Sequence, residues 1–263
     1  MTDPILLRQD KDAVATLTMN TPKSLNALSD AMIAAIQAEF DALMTDQSVR
    51  AVVIKGAGKA FCAGHNLKEM TAGRQSDDGG RAYFSDLFSR CSKMMTTIPR
   101  LPQPVIAEVH GIAAAAGCQL VAACDMAVAA QGTRFGVNGV NIGLFCSTPM
   151  VALSRNIPRK QAFEMLTTGT FIEADRAEAL GLINKSVPHD DLSEATQTLA
   201  QIVAGKLGRA VKIGKQAFYE QLTMPLEQAY DFAGENMVEN MLYRETEDGI
   251  AAFIEKRDPT WTQ

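Results

Sequence analysis

Several features that would settle the class of this chain at a glance are missing. Its five cysteines (Cys62, Cys91, Cys118, Cys124, Cys146) are odd in number and have no C-x-x-C pair, and its three histidines (His65, His110, His189) are scattered. That pattern supports neither a disulfide framework nor a zinc site, so no metal is expected. Basic residues are not in excess: 25 Lys and Arg face 30 Asp and Glu, a formal charge of −5. Nucleic-acid binding draws on concentrated cations that neutralise phosphates, and this chain lacks them. No apolar run approaches the ~20 residues that cross a bilayer, so no membrane span is expected. Residues Met1 to Arg8 show no basic start followed by an apolar stretch. Neither a secretory signal nor an Arg-rich transit peptide is therefore visible, and a cytoplasmic location is the expectation.

What is present is ordinary globular material, 47% apolar and 21% charged over 263 residues, enough for one large domain or a domain with an appendage. The first half alternates short β-like runs (Ala13–Met19, Ala51–Ile54, Pro104–His110, Asp125–Ala129) with helical periodicity. Ser29 is placed to cap a helix whose apolar residues Met32, Ile33, Ile36, Phe40 and Leu43 recur at helical spacing. A second helix is predicted over 81–97, preceded by a polar, glycine-bearing stretch from Gly73 to Gly80 that reads as a mobile lid. After Thr148 only Leu182–Val187 keeps a β signal. Amphipathic helices are predicted over 190–206, 210–222, 226–242 and 245–256, which places a boundary near Pro188: residues 1–188 form an α/β domain and 189–263 a helical region.

Two stretches carry chemical interest. Ala60-Phe-Cys-Ala-Gly-His-Asn-Leu67 and Ile112-Ala-Ala-Ala-Ala-Gly-Cys-Gln-Leu120 read as small-residue turns near helix starts, where backbone N–H groups are left unpaired. Two such amides stabilise a thioester oxygen as it gains negative charge.

At these residues the chain resembles the crotonase, or enoyl-CoA hydratase/isomerase, superfamily. The resemblance runs through Pro22–Leu28, Ala60–Met70, Pro104–Asp125, Ala174–Leu182 and Phe253–Arg257. It implies an α/β, crotonase-like spiral of ββα units with a C-terminal helical trimerisation region, assembled as a homotrimer or dimer of trimers, with an acyl-CoA thioester as substrate or ligand and no other cofactor. It also implies an oxyanion hole made by the backbone N–H groups of His65 and Ala116. Lys23, Leu25, Ala63, Asn66, Leu67 and Ala114 match positions beside the substrate, and Phe253 and Lys256 match positions that reach CoA from the tail.

The chain departs from the family's hydratases at both of their catalytic glutamates, where Gln119 and Gly139 stand. Gln cannot accept a proton and Gly has no side chain, whereas a positioned acid or base is worth typically ~10²–10⁴ in rate. Weak hydratase activity is expected. Three readings follow: an enoyl-CoA hydratase or isomerase in name with altered chemistry, a non-catalytic acyl-CoA binder, or enolate chemistry with an exogenous base such as bicarbonate in the space beside Gly139. The segment Gly139 to Pro149 resembles one branch of the family whose chemistry the motif does not disclose.

Other polar residues are read more plainly. Gln119 reads either as an anchor for substrate or water or as a helix-start residue whose amide satisfies backbone groups. The His65 side chain is taken as an exposed turn residue and not as a base, His110 as structural, and His189 as loop. Cys146 and Ser147 suit acyl contact better than nucleophilic attack, since no activating base is identifiable. Asn138 and Asn141 fit either the pocket or its turns. Glu69 is expected to be solvated, Glu108 to turn from the core face, and Asp125 to be structural. Met94, Met95, Met165 and Met237 read as core or acyl-pocket lining and Trp261 as packing the tail, while Lys68, with Lys23 and Lys256, is a phosphate contact only by the resemblance.

Overall fold

The computed structural model describes residues 4–260. Strands β1 (Leu6–Lys11) and β2 (Val14–Met19) form an antiparallel hairpin, followed by α1 (Asp30–Leu43), β3 (Ala51–Gly56), α2 (Leu67–Gly73) and α3 (Arg81–Thr97). Then come β4 (Val105–Val109), β5 (Ile112–Ala114) and α4 (Ala116–Ala123), and next β6 (Met126–Ala130), β7 (Arg134–Gly136) and α5 (Ser147–Asn156). Helix α6 (Arg159–Thr168), β8 (Ile172–Glu173), α7 (Ala174–Leu180) and β9 (Lys185–Val187) complete the β-containing part. Helices α8 (Leu192–Ala204), α9 (Gly208–Gln221), α10 (Leu226–Met241) and α11 (Arg244–Glu255) follow.

The large sheet runs β1-β2-β3-β4-β6-β9, parallel from β2 onward, and the small one β5-β7-β8. Two turns of the winding, β4-β5-α4 and β6-β7-α5, lay one strand in the large sheet, the next in the small sheet, and then a helix. This is the expected spiral of ββα units.

Period-two alternation explains both faces of the large sheet. Leu17, Met19, Val52, Ile54, Val105, Ala107 and Val109 pack inward against α1 and α3, whereas Val14, Ala51, Val53 and Ile106 turn to the outer face under Ala200 and Ala204 of α8. The Ser29 hydroxyl accepts from the Met32 N–H, as expected of the α1 cap. Because α8 covers the outer face, the expected boundary near Pro188 divides strand from helix but not core from appendage.

Helix α9 is pinned by a buried ion pair. Lys215 Nζ donates to Asp125 Oδ2 at 2.6 Å and to the carbonyls of Ile98 and Gln103 at 2.8 Å each. Asp125 also accepts from the Val105 N–H at 2.6 Å and the Tyr219 hydroxyl at 2.7 Å. The structural reading of Asp125 therefore holds, and its partners come from a helix about ninety residues on. Beyond it, α10 and α11 leave large apolar side chains in the open, including Met237, which is 66% exposed against the core reading, while Met94, Met95 and Met165 are buried as expected.

Three other expectations change. Residues 74–80 are no loose lid: Asp78 accepts from the Gly80 and Ala82 N–H groups and so caps α3, and Gly80 packs on Phe84 where a Cβ has no room. Strand β1 and helices α5 and α6 are additions, and β1 shows no apolar alternation because it is an exposed, charged edge. Trp261 lies outside the described residues.

Candidate active site

The two small-residue turns meet. Cys62 bridges Ala113 in parallel register, with Cys62 N–H donating to the Ile112 carbonyl at 3.1 Å and Ala114 N–H to the Cys62 carbonyl at 2.9 Å. On the other side, Leu28 N–H donates to the Gly64 carbonyl and Ala63 N–H to the Leu25 carbonyl, so the Lys23–Leu25 loop joins the same cluster. This contact has no room for side chains. A Cβ at Gly64, where φ is +95°, would stand 3.0 Å from the Ala114 carbonyl and 3.4 Å from the Ala116 nitrogen, and one at Gly117 would fall 2.3 Å from the Cys62 carbonyl. Glycine is required at both places by close backbone approach.

Just past these contacts lie the N–H groups of His65 and Ala116, and among the described residues neither donates to a protein acceptor. Ala116 is the first residue of α4, whose positive dipole end adds to the donor. The preceding Ala115 has φ 48° and ψ −115°, a strained setting for a residue with a Cβ. Its own N–H is fixed to the Gly136 carbonyl at 2.8 Å, so the small sheet holds the turn that presents the Ala116 amide.

Two polar side chains of these turns hold buried atoms without a partner. Gln119, one turn into α4, is 5% exposed, and its Oε1 is buried without a partner. Both ring nitrogens of His65 are likewise buried and unpartnered, and the ring meets Phe88 edge-on with 5.8 Å between centroids. Burial holds this imidazole below the usual histidine range, only partly offset by the Leu28 backbone and the Asp30 carboxylate. The exposed-turn reading of His65 is thus corrected: the residue is half-buried and both its ring nitrogens are covered. A buried polar group left without a partner costs about 1–3 kcal/mol, and such groups gather where a ligand completes them.

Gly139 also differs from expectation. A Cβ built there would lie 2.3 Å from the Leu144 carbonyl and 2.8 Å from Cys146 Sγ. Its own N–H meets that sulfur at 3.3 Å, and Leu144 N–H returns to the Gly139 carbonyl at 3.0 Å. The loop thus closes on Gly139 in the direction a side chain would take. Burial pushes the Cys146 thiol above its ordinary pKa, the opposite of the shift that activates a nucleophile. Asn141 ties the loop to the Gly169 carbonyl.

Other candidates are placed as follows. Ala114 is buried and Ala63 half-buried at the junction, Asn66 caps α2 through the Lys68 N–H, and Lys23, Leu67 and Lys68 are exposed. Phe253, 85% exposed, and Lys256 stand on or just after α11, whose main packing partner is α10, and are not brought to the hole within one chain. Glu69 is not solvated: its Oε2 accepts from the Asp30 N–H at 2.8 Å, across from α2 to the start of α1. Glu108 shares the outer face with Ile106 and is buried there, paired with Lys55 at 2.7 Å, away from the site. His110 is structural, with Nε2 2.8 Å from the Gly58 carbonyl. Neither Gln119 nor Gly139 carries a carboxylate.

The family model described as enoyl-CoA hydratase/isomerase matches residues 9–263. The chain belongs to that family. It is 43% identical to enoyl-CoA hydratase domain-containing protein 3 of Xenopus laevis over 98% of this chain and 86% of that protein. Its human counterpart is 43% identical over 95% of this chain and 81% of that protein. Among solved structures, an enoyl-CoA hydratase of Mycobacterium smegmatis superposes with a TM-score of 0.95 at 52% identity, covering 98% of this chain and 99% of the other. The crystal structure of the human domain-containing protein 3 gives 0.94 at 41% identity, covering 98% of this chain and all of that one. This is the branch that Gly139–Pro149 resembles.

The vertebrate relatives carry "mitochondrial" in their names, which points to mitochondria and corrects the cytoplasmic expectation. The physical reason is that import is directed by a leader and leaves no mark on the composition of the folded domain. Among the described residues no helix is long and apolar enough to cross a membrane.

Proposed function

We propose that this enoyl-CoA hydratase/isomerase family member binds an acyl-CoA thioester with the carbonyl oxygen between the N–H groups of His65 and Ala116, and that ordinary hydration is slow for want of a carboxylate pair. The observation that carries the reading is the junction of the two turns that hold the unpartnered His65 and Ala116 N–H groups, with a buried, unpartnered Oε1 on Gln119 in the same helix start. Preorganised donors of this kind stabilise the negative charge that a thioester oxygen acquires on enolisation or addition, without solvent reorganisation. Gln119 offers a hydrogen bond to substrate or to water, but not a proton-accepting carboxylate. Lys23, Leu25, Ala63, Asn66, Leu67 and Ala114 border the entry to this hole.

A homotrimer or dimer of trimers is the assembly we propose. Leu226, Tyr230, Leu242, Phe253 and Ile254 of the last two helices and their linker are each more than 70% exposed in one chain. Apolar faces of that size favour coverage by neighbouring copies, and Phe253 and Lys256 would then meet ligand only in the assembly. A non-catalytic binder is the second reading, favoured by the closed loop at Gly139.

Calorimetric titration with crotonyl-CoA, paired with hydration followed at the enone absorbance, tests both parts. Binding with turnover far below the usual k_cat of ~1–10³ s⁻¹ is the expected result. Absence of binding overturns the thioester site, and turnover inside that range overturns the inference from Gln119 and Gly139. Enolisation without hydration, read as deuterium exchange into bound butyryl-CoA, separates enzyme from binder.

A further inference from the structure

At the opposite ends of β3 and β4 from the oxyanion hole lies a second cavity, of about 520 Å³, between the loop after α1 and the first turn of α9. Strand β3 alone is six residues long, so at ~3.3 Å per residue the two places are separated by roughly 20 Å of sheet. The cavity is no extension of the thioester site.

Its charge is uncompensated. Arg50, Arg209 and Lys212 line it together with the acids Asp46 and Glu245. Asp46 is already engaged, by Arg8 at 2.8 Å and by the Ser48 hydroxyl and N–H. Among the described residues Glu245 makes no ion pair, which leaves three cations facing one uncommitted carboxylate. Arg50 makes no side-chain hydrogen bond, and its Nε is buried and unpartnered. Arg209 lies over the Tyr243 ring at 3.7 Å, a contact that leaves its N–H groups free to donate. Helix α9, of 14 residues, begins at Gly208 without any side-chain cap, so its first-turn amides add donors and positive dipole at the same wall.

A second, independent observation comes from Gln103, which lines the cavity and is 3% exposed. Its Nε2 donates to the Leu43 and Asp46 carbonyls, both at 2.9 Å, which fixes the amide orientation. Oε1 is thereby defined as a buried acceptor, and it has no partner. A complementary molecule must bring negative charge for the cations and helix start, and a hydroxyl or amino donor for Gln103.

We propose that this cavity is a second ligand site, for a small organic phosphate that carries a hydrogen-bond donor. Arginine and a helix start recognise the phosphate group, Gln103 Oε1 reads the donor, and Val49, Pro102 and Leu207 supply apolar walls. The volume suits a molecule of metabolite size.

The probes are inorganic phosphate and glucose 6-phosphate, titrated calorimetrically into the intact protein with and without saturating acetyl-CoA. Glucose 6-phosphate is expected to bind with Kd below ~1 mM and inorganic phosphate more weakly. Arg50→Gln and Lys212→Gln should each weaken glucose 6-phosphate about tenfold, while Arg159→Gln on α6 leaves it unchanged. Lys212 is exposed, so its variant keeps the test open if Arg50→Gln unfolds. Absence of binding by both probes at ~20 mM overturns the site. So does affinity unchanged in both cation variants, or displacement by acetyl-CoA, which would assign the phosphate to the thioester site. Equal affinity for the two probes overturns the part given to Gln103.

Discussion

Replacing Gly139 tests whether the position of the second family acid is vacant or filled. In Gly139→Ala the new methyl carbon would stand 2.3 Å from the Leu144 carbonyl oxygen and 2.8 Å from Cys146 Sγ. The first neighbour is backbone, locked by the Leu144 N–H returning to the Gly139 carbonyl, so the clash is relieved only by moving the 139–146 loop. Overpacking of this kind costs about 1–3 kcal/mol. For a chain of this size each kcal/mol lowers Tm by about 2–4 °C, giving a fall of roughly 2–12 °C by scanning calorimetry. Adding Cys146→Ala removes the sulfur contact but not the carbonyl one, so it should restore only a minor part. Gly139→Glu should be less stable still and gain no hydration of crotonyl-CoA, even combined with Gln119→Glu, because the added carboxylate cannot occupy the pocket without displacing Leu144. A Gly139→Ala protein melting within a degree of the parent, or a stable Gly139→Glu protein with raised hydration, would refute the closed-loop reading.

Three further outcomes follow from the same geometry. Asp125→Asn strands the buried Lys215 ammonium and should cost about 3–5 kcal/mol in urea unfolding, whereas Tyr219→Phe removes one hydrogen bond to a charged group and should cost about 1.5–3 kcal/mol; equal losses would show that the ion pair is not what pins α9. Gln119→Leu removes a buried amide whose Oε1 is unpartnered, so it should hold or raise Tm while weakening crotonyl-CoA binding; lower Tm with unchanged binding would make Gln119 structural. The buried His65 ring has a pKa below its unfolded value near 6.5. Its contribution to stability is therefore complete above about pH 6.5 and is lost as pH falls through the folded value, because the unfolded chain binds the proton first. In His65→Leu the acid limb of a Tm profile between about pH 4.5 and 7.5 should be shallower, and an unchanged slope would place the sensitivity elsewhere.

Local pattern was enough to read much of this protein. Apolar spacing and the Ser29 cap fixed α1, the helix predicted over 81–97 is α3, and the tail helices fell within a few residues of their predicted ends. The small-residue turns could be recognised because close backbone approach restricts composition, and Gln119 and Gly139 could be noted because the family's carboxylates are absent from the string itself. Sequence also made Asp125 structural, but not its partners, since Lys215 and Tyr219 lie 90 and 94 residues away and no local rule links them.

Tertiary structure alone decided what fills the space around those residues. Gly139 reads as a missing side chain in sequence, yet the folded loop brings Leu144 and Cys146 onto it. His65 reads as an exposed turn, yet Phe88 from a separate helix helps bury it. Glu69 reads as solvated, yet it reaches the start of α1. The cavity between Arg50, Gln103 and α9 joins three distant segments and has no linear signature. Backbone preference is local and therefore written along the chain, whereas burial and charge balance at a point depend on every segment that arrives there.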